Sequence, residues 1–344
     1  TVDGRFLTYQ WYKSGSPISG VTGTEYVIPD FNATRDAGDY EIRVSNAFAT
    51  LKTKAVLQVG IGTGVGGRIG HVTYDSGFGP EDSSTLLLKS SGSAVGSGRN
   101  YNGEIGQGTS SQYLSPVASL FSDGNRSSSL SAVTAGVGHA LYLKADGSLY
   151  GVGSNSVGQL GDGTTTQKKY LTPIPNVGNV AEVSAGGSHT MFVKTDGTLW
   201  GMGNSGNGQL GDGSTNLRAT PVQVPGVSNA AQVSGGGKHT MFVKTDGTLW
   251  GMGYNQNGRL GDGSTTQRTS PIQVPGVSNV AQVSAGSSHT IFVKTDGTLW
   301  GMGYNYRGQL GDGSTTARTS PIQVPGVSNA AQVSAGYSHT MFVK

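Results

Sequence analysis

Histidine is the residue type whose spacing first suggests chemistry. His139, His189, His239, His289 and His339 recur every 50 residues without drift. An imidazole can ligate a metal or act as a general base. Neither job suits these five. No carboxylate shares a tight spacing with them, and a residue repeated at a fixed interval is best explained by a repeated structural contact. His71 stands outside the series without a partner. Residues 201–206 satisfy G-x-G-x-x-G, but a dinucleotide fingerprint needs a helix to start there. The sequence that follows, Asn207-Gly-Gln-Leu-Gly-Asp-Gly, cannot sustain one. Asp162, Asp212, Asp262 and Asp312 each sit in Leu-Gly-Asp-Gly. A calcium loop needs several further oxygen ligands, so these aspartates are expected to hydrogen-bond their own turns. Trp200, Trp250 and Trp300 could serve as ligand platforms, yet a tryptophan at a fixed place on a repeated strand reads as core. No serine–base or paired-carboxylate constellation is legible. The expectation is a protein without catalytic residue, metal or cofactor.

Binding side chains are expected where nearly identical repeats disagree. Units 239–288 and 289–338 differ at seven positions. The disagreements between units concentrate in three places. The first is the pair before each histidine: Gly187-Ser188, Gly237-Lys238, Ser287-Ser288 and Tyr337-Ser338. The second is the loop after the tryptophan strand, covering 204–207, 254–257 and 304–307, and the third follows Ser-Thr at 216–217, 266–267 and 316–317. Variation confined to loops on a fixed frame is how a scaffold presents a tunable contact surface. Tyrosine and arginine are also favoured at contact hot spots. The candidate partner-binding residues are Lys238, Tyr254, Gln256, Asn257, Tyr304, Tyr306, Arg307 and Tyr337.

The elements that must position these residues are strands. Within one unit, 231–234 alternates, 239–244 forms a second apolar run, and Asp246-Gly247 supplies a hairpin turn requiring positive φ. Residues 248–253 make a third strand. A polar loop leads to 271–274, a fourth strand with proline at its start, and Pro275-Gly276 turns into the next unit. Four short strands in about 50 residues describe a propeller blade. An earlier, degenerate unit has Ser84 where later units have histidine, giving five units over about 84–338 and a sixth beginning at His339.

Composition agrees. Of 344 residues 58 are glycine without a three-residue period, which excludes collagen and fits many tight turns. Formal net charge is +3, with six residues of each sign in 1–60 and no basic run, so no nucleic-acid partner is expected. Cysteine is absent, excluding disulfides and thiolate chemistry. No apolar stretch is long enough for a membrane helix.

The pattern G-x-x-H-T-x-x-V-K-x-D-G-x-L-W-G-x-G-x-N-x-x-G-Q-L-G-D-G resembles the regulator of chromosome condensation repeat family. The resemblance covers roughly 78–344 and implies an all-β, seven-bladed propeller, of which this chain supplies five units and a stub. Residues 1–60 are different. Trp11 lies on a short strand, and Asp36-Ala-Gly38-Asp-Tyr40-Glu-Ile42 resembles an immunoglobulin tyrosine corner with isoleucine at the usual second cysteine. That resemblance implies that Trp11 is the core tryptophan of an immunoglobulin-like strand C. The expected organisation is therefore a truncated immunoglobulin-like β-sandwich (1–60), a glycine-rich linker (61–77) and propeller repeats (78–344). Both ends fall inside domains, which implies a longer parent.

Cysteine-free immunoglobulin-like segments beside repeat arrays resemble those of large exported bacterial proteins. That likeness implies a non-enzymatic, secreted or cell-surface protein binding protein or glycan partners through its loops. The repeat family alone implies a rival reading, an intracellular guanine-nucleotide exchange factor or scaffold. A propeller enzyme acting on polysaccharide is the third reading, and would need a cluster of His, Arg and carboxylate that breaks the repeat.

Overall fold

The computed structural model describes residues 8–13, 16–19, 38–45, 50–57, 84–89 and 91–344, the strands at 8–13, 38–45 and 50–57 by their backbone alone. The chain divides into two compact units, Thr1–Gly66 and Gly67–Lys344.

In the first unit one antiparallel sheet is described, in the order Ser16–Pro17, Thr8–Lys13, Gly38–Ser45, Thr50–Leu57. Trp11 pairs with Ile42 and Lys13 with Tyr40. The strands expected around Trp11 and Tyr40 are present. The core-tryptophan and tyrosine-corner roles concern side chains outside the described residues, and one sheet does not by itself define an immunoglobulin-like sandwich. The linker reading for 61–77 also lies outside the described residues.

The second unit is built from repeated antiparallel sheets. A three-stranded sheet (Ser84–Leu88, Ala94–Gly98, Tyr113–Ala118) is followed by four four-stranded blades and a final pair, Gln332–Ala335 with Thr340–Val343. The fourth sheet in the series is representative: Ala230–Gly235, His239–Lys244, Leu249–Gly253 and Arg268–Gln273, hydrogen-bonded in chain order. Gly247, in the Asp-Gly turn between the second and third strands, has φ 77°. That left-handed conformation is nearly free for glycine and strained for other residues.

The outer strand begins three residues earlier than the sequence suggests, at Arg268, and Pro271 lies inside it. Proline is tolerated there because the strand is the outer edge of its sheet and needs no donor on its free side. The ladder is also irregular at this point, with Gly251 opposite Ile272 and Gly253 opposite Arg268.

The core runs between blades. Met241, Val243, Leu249 and Leu260 of one blade pack with Val283, Phe292 and Met302 of the next, and Trp300 closes the cluster from the side. The same set recurs one blade earlier around Phe242 and Trp250. Trp300 is stacked on Phe292 with ring centroids 6.3 Å apart. Trp200, Trp250 and Trp300 each pack against the cluster between two blades. Lys194, Lys244 and Lys294 place their ammonium groups 4.3, 3.8 and 4.5 Å from the same rings.

Candidate contact face

The periodic histidines form a buried ladder between blades. His139 Nε2 lies 3.2 Å from Thr190 Oγ1, and the equivalent pairs His189–Thr240, His239–Thr290 and His289–Thr340 measure 2.9, 3.0 and 3.1 Å. Each hydroxyl donates onward to the carbonyl of Gln159, Gln209, Arg259 or Gln309, at 2.7–2.8 Å. A hydroxyl has one proton to give, so its oxygen must accept from the imidazole. This fixes the neutral Nε2–H tautomer and leaves Nδ1 unpaired. Burial holds His139 and His289 at about 4 and His189 at about 3. His239 is held well below its ordinary value, first by burial and then by the charge of Arg259. Neutral, buried and committed to threonine, these side chains cannot turn to a substrate. His339 is the exception: it is exposed.

The Leu-Gly-Asp-Gly aspartates clip each blade's long loop. Asp262 Oδ1 accepts from Ser264 N at 3.0 Å and Asn255 Nδ2 at 2.9 Å, while Oδ2 meets Arg268 Nη2 at 2.6 Å. Burial alone would raise the Asp262 pKa, but hydrogen bonds from Arg268, Ser264 and Asn255 outweigh it and hold it low. Asp212–Arg218 and Asp312–Arg318 repeat the pair at 2.6 Å, and Lys168 takes the arginine's place beside Asp162 at 2.9 Å. Among the described residues no group of three or more His, Cys, Asp or Glu could hold a metal ion.

The partner-binding candidates occupy one end of the sheets. His239 pairs with Gly253, so the loop entering the second strand and the loop leaving the third emerge side by side. Their backbones are joined. Tyr254 N donates to Lys238 O and Tyr304 N to Ser288 O, both at 2.9 Å. The entering loops are also linked from blade to blade, with Gly187 N donating to Gly236 O at 2.9 Å and Gly237 N to Gly286 O at 3.1 Å. Two of the three variable places are therefore one surface. The third is attached at one point, where Asn305 Nδ2 donates to Thr316 O at 3.2 Å.

Lys238 Nζ stands 5.8 Å from the Tyr254 ring centroid, and Tyr254 Oη donates to Gln256 Oε1. Tyr304 and Tyr306 meet edge to face at 4.8 Å. Lys238, Gln256, Tyr306 and Arg307 are exposed, and Tyr254, Asn257 and Tyr304 half-buried. Tyr337 occupies the entering loop one blade on and is 38% exposed.

One residue of this face escaped the sequence reasoning. Arg259 stands where the other late blades carry Gln159, Gln209 and Gln309. It is buried, donates from Nη1 to Ser287 O of the next blade at 3.1 Å, and lies 4.9 Å from the Tyr254 ring centroid. Its signal was a charge breaking an otherwise uniform Gly-Gln-Leu-Gly-Asp-Gly. Among the described residues Lys238, Arg259 and Arg307 have no carboxylate within ion-pair distance, whereas the loop aspartates are all paired.

The periodic polar residues of this repeat propeller hold the blades together, and its loops gather aromatic and cationic side chains at one end. The RCC1-like domain family matches residues 79–342, and the chain belongs to that family. A stretch of 94 residues is 34% identical to the secretion-regulating guanine nucleotide exchange factor of Bos taurus, covering 27% of this chain and 20% of that protein. The match thus spans about a fifth of the length of that relative. Human WBSCR16 superposes with TM-score 0.67 at 25% identity, covering 75% of this chain and 69% of that one. Prp20p of Saccharomyces cerevisiae, described with binding properties to Gsp1p and histones, superposes with TM-score 0.67 at 19% identity, covering 76% and 66%.

These matches correct the expected location. The secretion-regulating exchange factor and yeast Prp20 are intracellular proteins of this family, not secreted or cell-surface ones. The error arose from weighting a short immunoglobulin-like pattern above the repeat itself. The bacterial origin and the glycan partner of that reading gain no support from the relatives.

Proposed function

We propose that this chain is an intracellular protein-docking propeller of the guanine-nucleotide exchange factor type, which binds its partner through the joined entering and leaving loops. The observation that carries this reading is that side chains varying between near-identical repeats converge on one face: Lys238 over Tyr254, Tyr304 against Tyr306, with Arg307 beside them in sequence. The relatives supply the partner class, because one is a guanine nucleotide exchange factor and another binds Gsp1p. The periodic histidines lend the polysaccharide-enzyme reading nothing, since His139, His189, His239 and His289 are buried and bonded to threonine.

The test is release of a fluorescent guanosine diphosphate from a panel of small GTPases. Accelerated release from one of them, lost in Tyr304→Ala/Tyr306→Ala, supports the reading. No acceleration from any, together with no GTPase binding, removes it.

A further inference from the structure

The substitution of arginine for glutamine in one blade leaves a particular vacancy in hydrogen bonding. In the sister blades the glutamine carboxamide oxygen accepts from the loop amide two residues before it. Gln159 Oε1 takes Val157 N at 3.1 Å, Gln209 Oε1 takes Asn207 N at 2.8 Å, and Gln309 Oε1 takes Arg307 N at 3.1 Å. Arginine has no acceptor, so Arg259 makes no such bond to the amide of Asn257. Its own Nε is buried without a partner. The Asn257 amide thus lacks the oxygen that the glutamine supplies in the sister blades, and two residues on, the buried Arg259 Nε is also without an acceptor, as is Gln309 Nε2 in the next blade.

The charge is equally unanswered. Arg259 is only 2% exposed and no carboxylate faces it among the described residues. Arg99, the other arginine with an unpaired Nε, has the Glu104 carboxylate 3.9 Å away. Burial draws the Arg259 pKa down to about 10, so the guanidinium stays charged at neutral pH. A buried cation is retained against its desolvation when an anion completes it. A carboxylate suits the place better than a tetrahedral anion, because it offers a planar sp² oxygen like that of the missing carboxamide, and arginine binds carboxylates side-on.

We infer that the notch formed by the Asn257 amide and the Arg259 guanidinium, beside Tyr254 and Lys238, is a subsite for a carboxylate side chain on an acidic segment of a protein partner. This rests on the reading that the loop face is the docking face. Tyr254, half-buried with its ring against the guanidinium, is the side chain that moves when the acidic residue enters. Lys238, exposed at the rim, adds long-range attraction, and the tyrosines supply amphipathic contact for the rest of the segment.

The experiment is fluorescence anisotropy of a labelled glutamate-rich decapeptide with the full chain at low and physiological ionic strength. A glutamine-for-glutamate peptide and competing inorganic phosphate are the chemical controls. Arg259→Gln installs the residue of the sister blades and keeps the fold; Lys169→Ala, on an outer strand, is the charge control. The expected result is binding of the glutamate peptide only, weakened at least tenfold by Arg259→Gln and unchanged by Lys169→Ala. Equal binding to Arg259→Gln, displacement by phosphate at matched ionic strength, or no binding by the wild-type chain overturns the inference. Failure of the peptide while Tyr304→Ala/Tyr306→Ala still abolishes GTPase binding sinks the carboxylate subsite and leaves the docking face standing. A GTPase complex indifferent to those tyrosines removes the docking face, and the subsite with it.

Discussion

Mild acid should unfold this propeller through its histidine ladder. His139, His189, His239 and His289 are buried and neutral, with folded pKa values of about 4, about 3, well below 6.5, and about 4 respectively. In the unfolded chain each titrates near its ordinary value of about 6.5. Above that value both states are neutral and the ladder contributes in full. As pH falls below it, the unfolded chain takes up protons that the folded chain refuses, and stability is lost until the folded values are reached. Between about pH 7 and about pH 5.5 the linkage is worth about 1.2 kcal/mol per histidine, so about 5 kcal/mol for the four. That is comparable with the whole stability of a typical domain, about 5–15 kcal/mol. Glu104, raised by burial, acts in the opposite sense, but it is one group against four. Urea unfolding followed by tryptophan fluorescence across this pH range should show a midpoint falling steeply below neutrality. A midpoint that stays level from pH 7 to 5.5, or falls no faster than one histidine allows, refutes the buried neutral ladder.

Other perturbations separate frame from face. Arg259→Gln should raise stability by about 1–3 kcal/mol, because it removes an uncompensated buried charge and restores an acceptor for Asn257 N; thermal melting would show the gain. Gly236→Ala should cost about 1–3 kcal/mol by overpacking, since its methyl would overlap the His239 ring and lie 2.7 Å from Gly286 O. Chemical denaturation gives that loss directly. Phe242→Ala empties a fully buried site between two blades and should cost about 3–5 kcal/mol, read as a lower denaturation midpoint.

The frame was legible because its determinants are local and repeated. Asp246-Gly247 announces a hairpin, alternation marks the strands, and a 50-residue period identifies the blade. The period of the histidines pointed to a repeated contact, but the threonine that His139, His189, His239 and His289 each meet lies 51 residues on, in the next blade, where no local pattern could reveal it. Pro271 misled the estimate of the outer strand's start, because a proline-free interior is a rule for central strands and this strand is an edge. The proposed contact face was partly legible. Tyr254 and Tyr304 stood out as differences between copies, but the joining of two variable loops depends on the register that sets His239 beside Gly253. Arg259 was overlooked because its importance lies in burial and in a missing acceptor, neither of which residue type alone displays.

The most direct test of the account is guanine-nucleotide release from purified small GTPases, measured with the wild-type chain, Tyr304→Ala/Tyr306→Ala and Lys169→Ala in parallel. The account predicts faster release from at least one GTPase with wild type and Lys169→Ala, and loss of that acceleration in the tyrosine double variant. Release that the tyrosine variant accelerates as well as wild type, or that no form of the chain accelerates, contradicts it.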